Sequence, residues 1–307
     1  SYLYYAQPIT FKSMLNSQLD AKNDGIDVKL FSINYPEDDV IVPDYFIKLP
    51  YLKKSTMTEF PLISGSKKLP IIQEIFDSIL ENSDADYIIF TNSDIAVQKN
   101  FYKKIDLIIR EKKLKSFIIT RRDNIKKFNK GKRLTENDLD IFYKEKGIKH
   151  VGYDCFIMSR DILKKVYMDK MFTGYPPWGR TLLTILNKIN KNTFVFRELF
   201  LTFHIGQDKQ WLGKKKSNNN NFIKKNKELL MKLLKYYNIT MEFHHNSHYN
   251  SLHNKSDNNN ETVDNNEIDE TDKTDETVEN NETVDNNDTN ETDETNEIDE
   301  TNEIDET

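Results

Sequence analysis

The chain has 307 residues, 31% of them charged, and a formal net charge of −6. That length suits one large domain or two ordinary ones, and no stretch approaches the ~20 apolar residues of a membrane-spanning helix. A single cysteine, Cys155, excludes an internal disulfide; with no secretory signal, this points to a cytoplasmic setting, left open if a segment precedes Ser1.

Residues 2–6 read as a first strand. Gln7-Pro8-Ile9-Thr10 breaks it, and Thr10 caps a helix to about residue 23. Asp24-Gly25 ends that helix, and residues 28–33 form a second strand. This order predicts a βαβ unit and a parallel strand pair. Residues 34–68 are punctuated by Pro36, Pro43, Pro50 and Pro61 and read as a long irregular connection, either functional or disordered. Pro70 opens a helix to about residue 81, with Ile71, Ile72, Ile75, Phe76, Ile79 and Leu80 on one apolar face.

Residues 87–90 are an apolar run, as in a strand buried on both faces. The run stops in Asn92-Ser93-Asp94. In open α/β sheets, ligands bind just beyond the carboxyl ends of strands, which places Asp94 where a metal or charged ligand would sit. Capping of the following helix is the competing reading. A helix from about 100 to 113 comes next, then a strand at 116–120 ending in Arg121-Arg122-Asp123-Asn124. Residues 126–132 form a basic loop, and Thr135 caps a helix to about 146.

Gly152-Tyr153-Asp154 leads into a short strand at 155–158, and Ser159 caps a helix around 162–167. Residues 174–179 make a rigid aromatic loop containing Tyr175 and Trp178. A helix at 181–189, β segments at 193–196 and 199–203, and a basic helix at 222–237 complete the order. The alternation predicts an α/β domain over residues 1–240 with a mostly parallel central sheet flanked by helices.

From residue 241 the composition changes to linker and then to an acidic repeat. Residues 256–307 hold 22 Asp and Glu, one Lys and no aromatic residue. So few apolar side chains cannot offset the entropy of ordering, so a disordered tail is expected. The remaining 255 residues carry 43 basic and 28 acidic side chains, a net of +15 hidden by the tail.

The strand followed by Asn92-Ser93-Asp94 resembles the Asp-x-Asp site of the GT-A glycosyltransferases. Residues 152–160 are similar to the segment of that fold where a glycine turn and an acidic residue face sugar and acceptor. His204-Ile205-Gly206 resembles the histidine that completes the metal or diphosphate site in several of these families. The resemblance spans about residues 2–211. It implies transfer of a sugar from a nucleotide-sugar to a hydroxyl of a carbohydrate or glycoconjugate acceptor, with Mn²⁺ or Mg²⁺ held by Asp94 and His204. Hard cations of this kind prefer oxygen ligands and stabilise a diphosphate leaving group.

In that reading Asp154 is the general base. Arg121 and Arg122 contact phosphates, as do Lys214, Lys215 and Lys216. Asn92, Pro8, Thr10, Tyr175 and Trp178 join them as substrate-binding candidates, the two aromatics as stacking platforms. Each residue also has a structural alternative: a strand-end histidine, an Asx turn at Asp154, core packing for the aromatics, solvated surface for the arginines. His244, His245 and His248 lie in the linker, where incidental composition is the simpler account.

Asn92 departs from the family pattern, which has an aspartate there, and removes one charge from the site. That keeps open a metal-independent enzyme or a non-catalytic nucleotide-binding relative. A basic-surface binding protein is the other alternative. The lysines are spread along the chain and no nucleic-acid motif occurs, so a nucleic-acid partner is not expected.

Overall fold

Ala6, Ile9, Thr10, Ser13, Met14, Ser17 and Ala21 recur three and four positions apart, the spacing of one helix face. In the computed structural model all seven are buried on α1 (Leu3–Asn23). The structure describes residues 3–64, 67–123, 135–205 and 216–240. The strand expected at 2–6 is thus corrected to helix from Leu3 onward, and no βαβ unit opens the chain. Pro8 lies inside α1, and Thr10 is an interior position of it rather than its cap. The small face of α1 lets it approach the sheet closely. There Ser13 Oγ accepts from the Val97 N–H at 3.0 Å, and Ser17 Oγ accepts from the Tyr102 N–H at 3.1 Å.

The 34–68 connection carries structure of its own. A 3₁₀ turn (Pro36–Ile41) separates β1 (Phe31–Ser32) from β2 (Ile47–Lys48), which pair in parallel as a two-stranded sheet. Two single-turn helices follow, α2 (Thr56–Glu59) and α3 (Pro61–Ser64). Ser55 and Thr58 form a reciprocal capping box at the start of α2. Helix α4 (Ile72–Asn82) buries Ile72, Phe76 and Ile79 of its expected apolar face, with Ile75 and Leu80 half-buried. Arg160 donates to the carbonyls of Leu80 (2.6 Å) and Ser83, near or just past the end of α4. Carbonyls at the end of a helix lack an intrahelical partner and need such donors.

The rest of the domain mixes strands and helices. In order these are β3 (Tyr87–Thr91), β4 (Ile95–Val97), α5 (Phe101–Lys112), β5 (Ser116–Asp123), α6 (Leu139–Lys144) and β6 (Ile148–Ser159). Then come α7 (Arg160–Leu163), α8 (Trp178–Ile189), β7 (Phe194–Phe196), β8 (Thr202–His204) and α9 (Lys216–Tyr236). The main sheet has the order β3-β6-β5-β8-β4, with β7 also paired to β5.

That sheet is mixed, and its ladders are mostly antiparallel. This corrects the mostly parallel sheet expected from the element order. The reason lies in β6, a strand of 12 residues running between β3 and β5 and antiparallel to both. Only its apolar second half stands out in the sequence. β5 pairs in parallel with β7 through Phe117, Ile118 and Ile119, and with β8 through Arg122 and Asp123.

Alternation along β5 and β6 feeds two cores. Ile118, Phe156 and Met158 join α4, α8 and α9, with Trp178, Leu182, Phe222 and Leu229. Phe117, Ile119, Cys155 and Ile157 join the opposite core, with Phe101, Ile105 and Ile108 of α5. Burial of apolar area on both faces is the main favourable term holding the sheet. Cys155 is fully buried there, and burial pushes its thiol well above its ordinary range, so it behaves as inert core. The acidic tail, His244, His245 and His248, the basic loop at 126–132, and Lys214 and Lys215 lie outside the described residues.

Candidate functional site at the strand ends

Strand direction decides which side chains meet. β3 and β5 both run antiparallel to β6, and β8 runs parallel to β5, so β3, β5 and β8 point the same way. Their carboxyl ends carry Asn92 to Asp94, Arg121 and Asp123, and His204. β6 runs the other way and brings His150 and Asp154 to the same edge from its first half. This is the edge where α/β sheets bind ligands.

Backbone pairing fixes the approach of Asp94 to His204. Ile95 pairs with His204, and the Ile205 N–H donates to the Asp94 carbonyl at 3.0 Å. The side chains follow, with His204 Nε2 3.1 Å from Asp94 Oδ2 and both groups largely buried. On the other side, Thr91 pairs with Cys155, which sets Asn92 beside Asp154. Asn92 Nδ2 donates to Asp154 Oδ1 at 3.2 Å.

Arg121 ties the cluster together. Its Nε donates to Asp123 Oδ1 at 3.1 Å, and its Nη1 to Asp154 Oδ2 at 3.2 Å. Its Nη2 lies 3.3 Å from His150 Nε2. Both oxygens of Asp154 are therefore engaged. Burial raises the Asp154 carboxyl above its ordinary range; Arg121 opposes this, Asp94 adds to it, and His150 and His204 oppose it more weakly. The effect of Asp94 means the two carboxylates share one site. From above, Gln7 of α1 donates to Ser93 Oγ at 3.4 Å.

Asn92, Asp94, Arg121, Asp154 and His204 thus come together as one cluster. Arg122 does not join them. It points to the opposite face of β5, fully buried, donating to the carbonyls of Phe142 (2.7 Å) and Glu145 and lying 5.0 Å from the Phe203 ring. Its role is to hold α6 to the sheet, which corrects its assignment to phosphate. Tyr175 stacks on Phe222 at 4.8 Å, and Lys67 bonds its hydroxyl. Trp178 packs against Phe90 and Phe156. Both rings are filled by core neighbours, so neither offers an open stacking face. Pro8 is exposed on α1, while Thr10 is buried beneath it.

His150 and Asp123 belong to the cluster and were not among the sequence candidates. The signal for His150 is its spacing: residues 150, 152 and 154 alternate on one face of a strand. For Asp123 it is the position two after Arg121 on the same strand. Among the described residues, no group of three or more His, Cys, Asp or Glu is arranged to hold a metal ion. Asp94 and His204 nevertheless stand at 3.1 Å, the separation of neighbouring ligands bonded to one cation at about 2.1 Å each. No helix among the described residues is long and apolar enough to cross a membrane. The chain matches no family model, and no curated protein matches it.

Proposed function

We propose that this chain is a glycosyltransferase-like enzyme that moves a sugar from a nucleotide-sugar donor to a hydroxyl acceptor. The observation that carries this reading is the juxtaposition of the Asp94–His204 pair with the buried Asp154–Arg121 pair at one sheet edge. The first pair suits an anionic donor and the second a hydroxyl that must lose a proton.

Asp94 and His204 would hold a divalent cation, Mn²⁺ or Mg²⁺, with water and substrate oxygens completing its shell. When bound, such a cation neutralises a diphosphate and stabilises its departure. The chain's own residues do the rest. Asp154 takes the acceptor proton, and its burial raises its basicity toward working pH. Asn92 and Arg121 fix the Asp154 carboxylate by one hydrogen bond to each oxygen, so it meets a substrate in one orientation. The two-sided burial of the sheet keeps this edge rigid.

A second reading is a binding protein that keeps the nucleotide site without turnover. It is favoured by Asn92, whose amide is spent on Asp154 and whose side chain brings no charge.

The test is nucleoside diphosphate release by the full chain from a panel of nucleotide-sugars, with Mn²⁺ and with chelator. The transferase reading expects release with one donor, lost in Asp94→Ala and in Asp154→Asn. Binding of a donor without release would select the second reading. No binding of any nucleotide would end both.

A further inference from the structure

Phe222, Leu229 and Leu233 bury one face of α9 in the core it shares with α4 and α8. The outer face carries Lys224, Lys227, Met231 and Lys235, all exposed. Their steps of three and four residues make one stripe along the helix. Residues 221–240 hold five lysines and one glutamate. That glutamate, Glu228, bonds to Lys225 at 3.0 Å. The bond, together with Lys224 and Lys232 nearby, holds its carboxyl below the ordinary range. The one acid of the stretch is thus neutralised, and the face is positive.

Apolar groups interrupt the charge. Met231 is 54% exposed within the stripe, and Tyr236 is 63% exposed at its end. Tyr237, just past the helix, ties a second segment to this end. Its hydroxyl accepts from the Tyr167 N–H at 2.6 Å and donates to the Lys165 carbonyl at 3.2 Å. The Tyr167 ring packs on Tyr236 at 5.0 Å and stays 39% exposed. Lys188 of α8 reaches the same end and donates to the Asn238 carbonyl at 3.3 Å. The helix therefore ends in an exposed tyrosine pair with lysines from three elements beside it.

This mixture of side chains has a natural counterpart in the boundary of an anionic bilayer. There apolar groups enter the acyl edge, phenol rings sit at headgroup level, and ammonium groups on long stems meet the lipid charges. The outer face of a single helix is convex and offers no groove for a nucleic-acid backbone. The two tyrosine rings are packed on each other rather than open to stack on bases. The whole chain is net −6, so attraction to an anionic surface has to be local. Screening in physiological salt acts over about 8 Å, which leaves the field of these lysines in force at contact.

We propose that the outer face of α9 rests on an anionic lipid surface. Met231, Tyr167 and Tyr236 enter the headgroup boundary, and the lysines of α9 meet the headgroups. The inference goes beyond the transferase reading and does not depend on it.

The test is co-sedimentation of the full chain with phosphatidylcholine vesicles carrying about 30% phosphatidylserine, in about 0.1 M salt. The expected result is binding to these vesicles and none to pure phosphatidylcholine. Lys232→Glu with Lys235→Glu should weaken binding about tenfold or more, and Met231→Ser should weaken it about threefold. Lys104→Glu with Lys112→Glu is the charge-matched control. It lies on α5, which packs on the opposite face of the sheet, and should leave binding unchanged. All five substituted side chains are exposed, so melting curves should overlay that of the unaltered chain. Failure to sediment with the mixed vesicles, equal binding to pure phosphatidylcholine, or equal loss from both lysine pairs would overturn the proposal. So would tighter binding of a single-stranded DNA oligonucleotide through the same lysines, which would make this a nucleic-acid face. None of these readouts involves nucleotide-sugar turnover, so the surface and the transferase reading stand or fall separately.

Discussion

Asp154 is a buried carboxylate held by a guanidinium and an amide, and its pKa, raised by burial above the ordinary carboxylate range, has two consequences. As a base it must be deprotonated, so the rate should rise with pH along a limb above the ordinary carboxylate range. Asp154→Asn should lower turnover by roughly 100-fold or more, the usual contribution of a positioned base. Stability runs the other way. A carboxyl raised in the folded state binds protons there that the unfolded chain has released, so its contribution falls as pH rises through that window. The melting temperature of Asp154→Asn relative to wild type should therefore increase from pH 4 to pH 7. A flat difference would mean that Arg121 cancels the burial. Arg122, one residue on from Arg121, makes the contrast. Arg122→Ala removes two buried donors and leaves a cavity under Phe203, at a cost of about 2–4 kcal/mol. Urea unfolding should show that loss, while nucleotide-sugar binding by the folded fraction should be unchanged.

At the level of elements, α1 is held by hydrogen bonds as much as by apolar contact. Ser17 accepts from Tyr102, in the first turn of α5, where backbone N–H groups lack intrahelical partners. Ser17→Ala would leave that buried donor unpaired and cost about 1–3 kcal/mol by denaturant unfolding. A cost below a few tenths would show that another group or water replaces the serine. The sequence shows α1 from Thr10 to about residue 23 but not its first two turns, where the apolar and aromatic run at 2–6 reads as a strand and Pro8 as its break. The strand at 87–91 was legible because its apolar run ends abruptly at Asn92, and α4 was legible because Ile72, Phe76 and Ile79 repeat at helical period. The first half of β6 was not. His150, Gly152 and Asp154 break the apolar pattern there because they serve the site rather than the core. Asp94 and His204 were found from their places after apolar strands and Asp154 from its place just before one, whereas His150 required knowing that β6 extends back to Ile148.

For the molecule as a whole, charge is divided along the chain: −21 in residues 256–307 and +15 before them. Removing residues 256–307 takes away one positive and 22 negative side chains and no aromatic one. The melting temperature of the shortened chain should stay within about 2 °C of the full chain, since almost no apolar burial is lost. Its behaviour on ion exchangers at neutral pH should reverse, from anion to cation exchange. A large fall in melting temperature would mean the acidic segment contributes to the fold.

The contact between Asp94 and His204 closes across 110 positions of sequence, and that between Asn92 and Asp154 across 62. Such distant pairs close long loops, which bears on folding rate more than on stability. Helices such as α4 and α5 find their backbone hydrogen-bond partners within one turn, but the edge that carries the cluster does not exist until β8 is in place. On the transfer reading proposed above, a ribosome must finish well past His204 before the site exists. A product that ends before β8 would carry Asp94 without His204, and the complete cluster would appear as a single late event in the life of each chain.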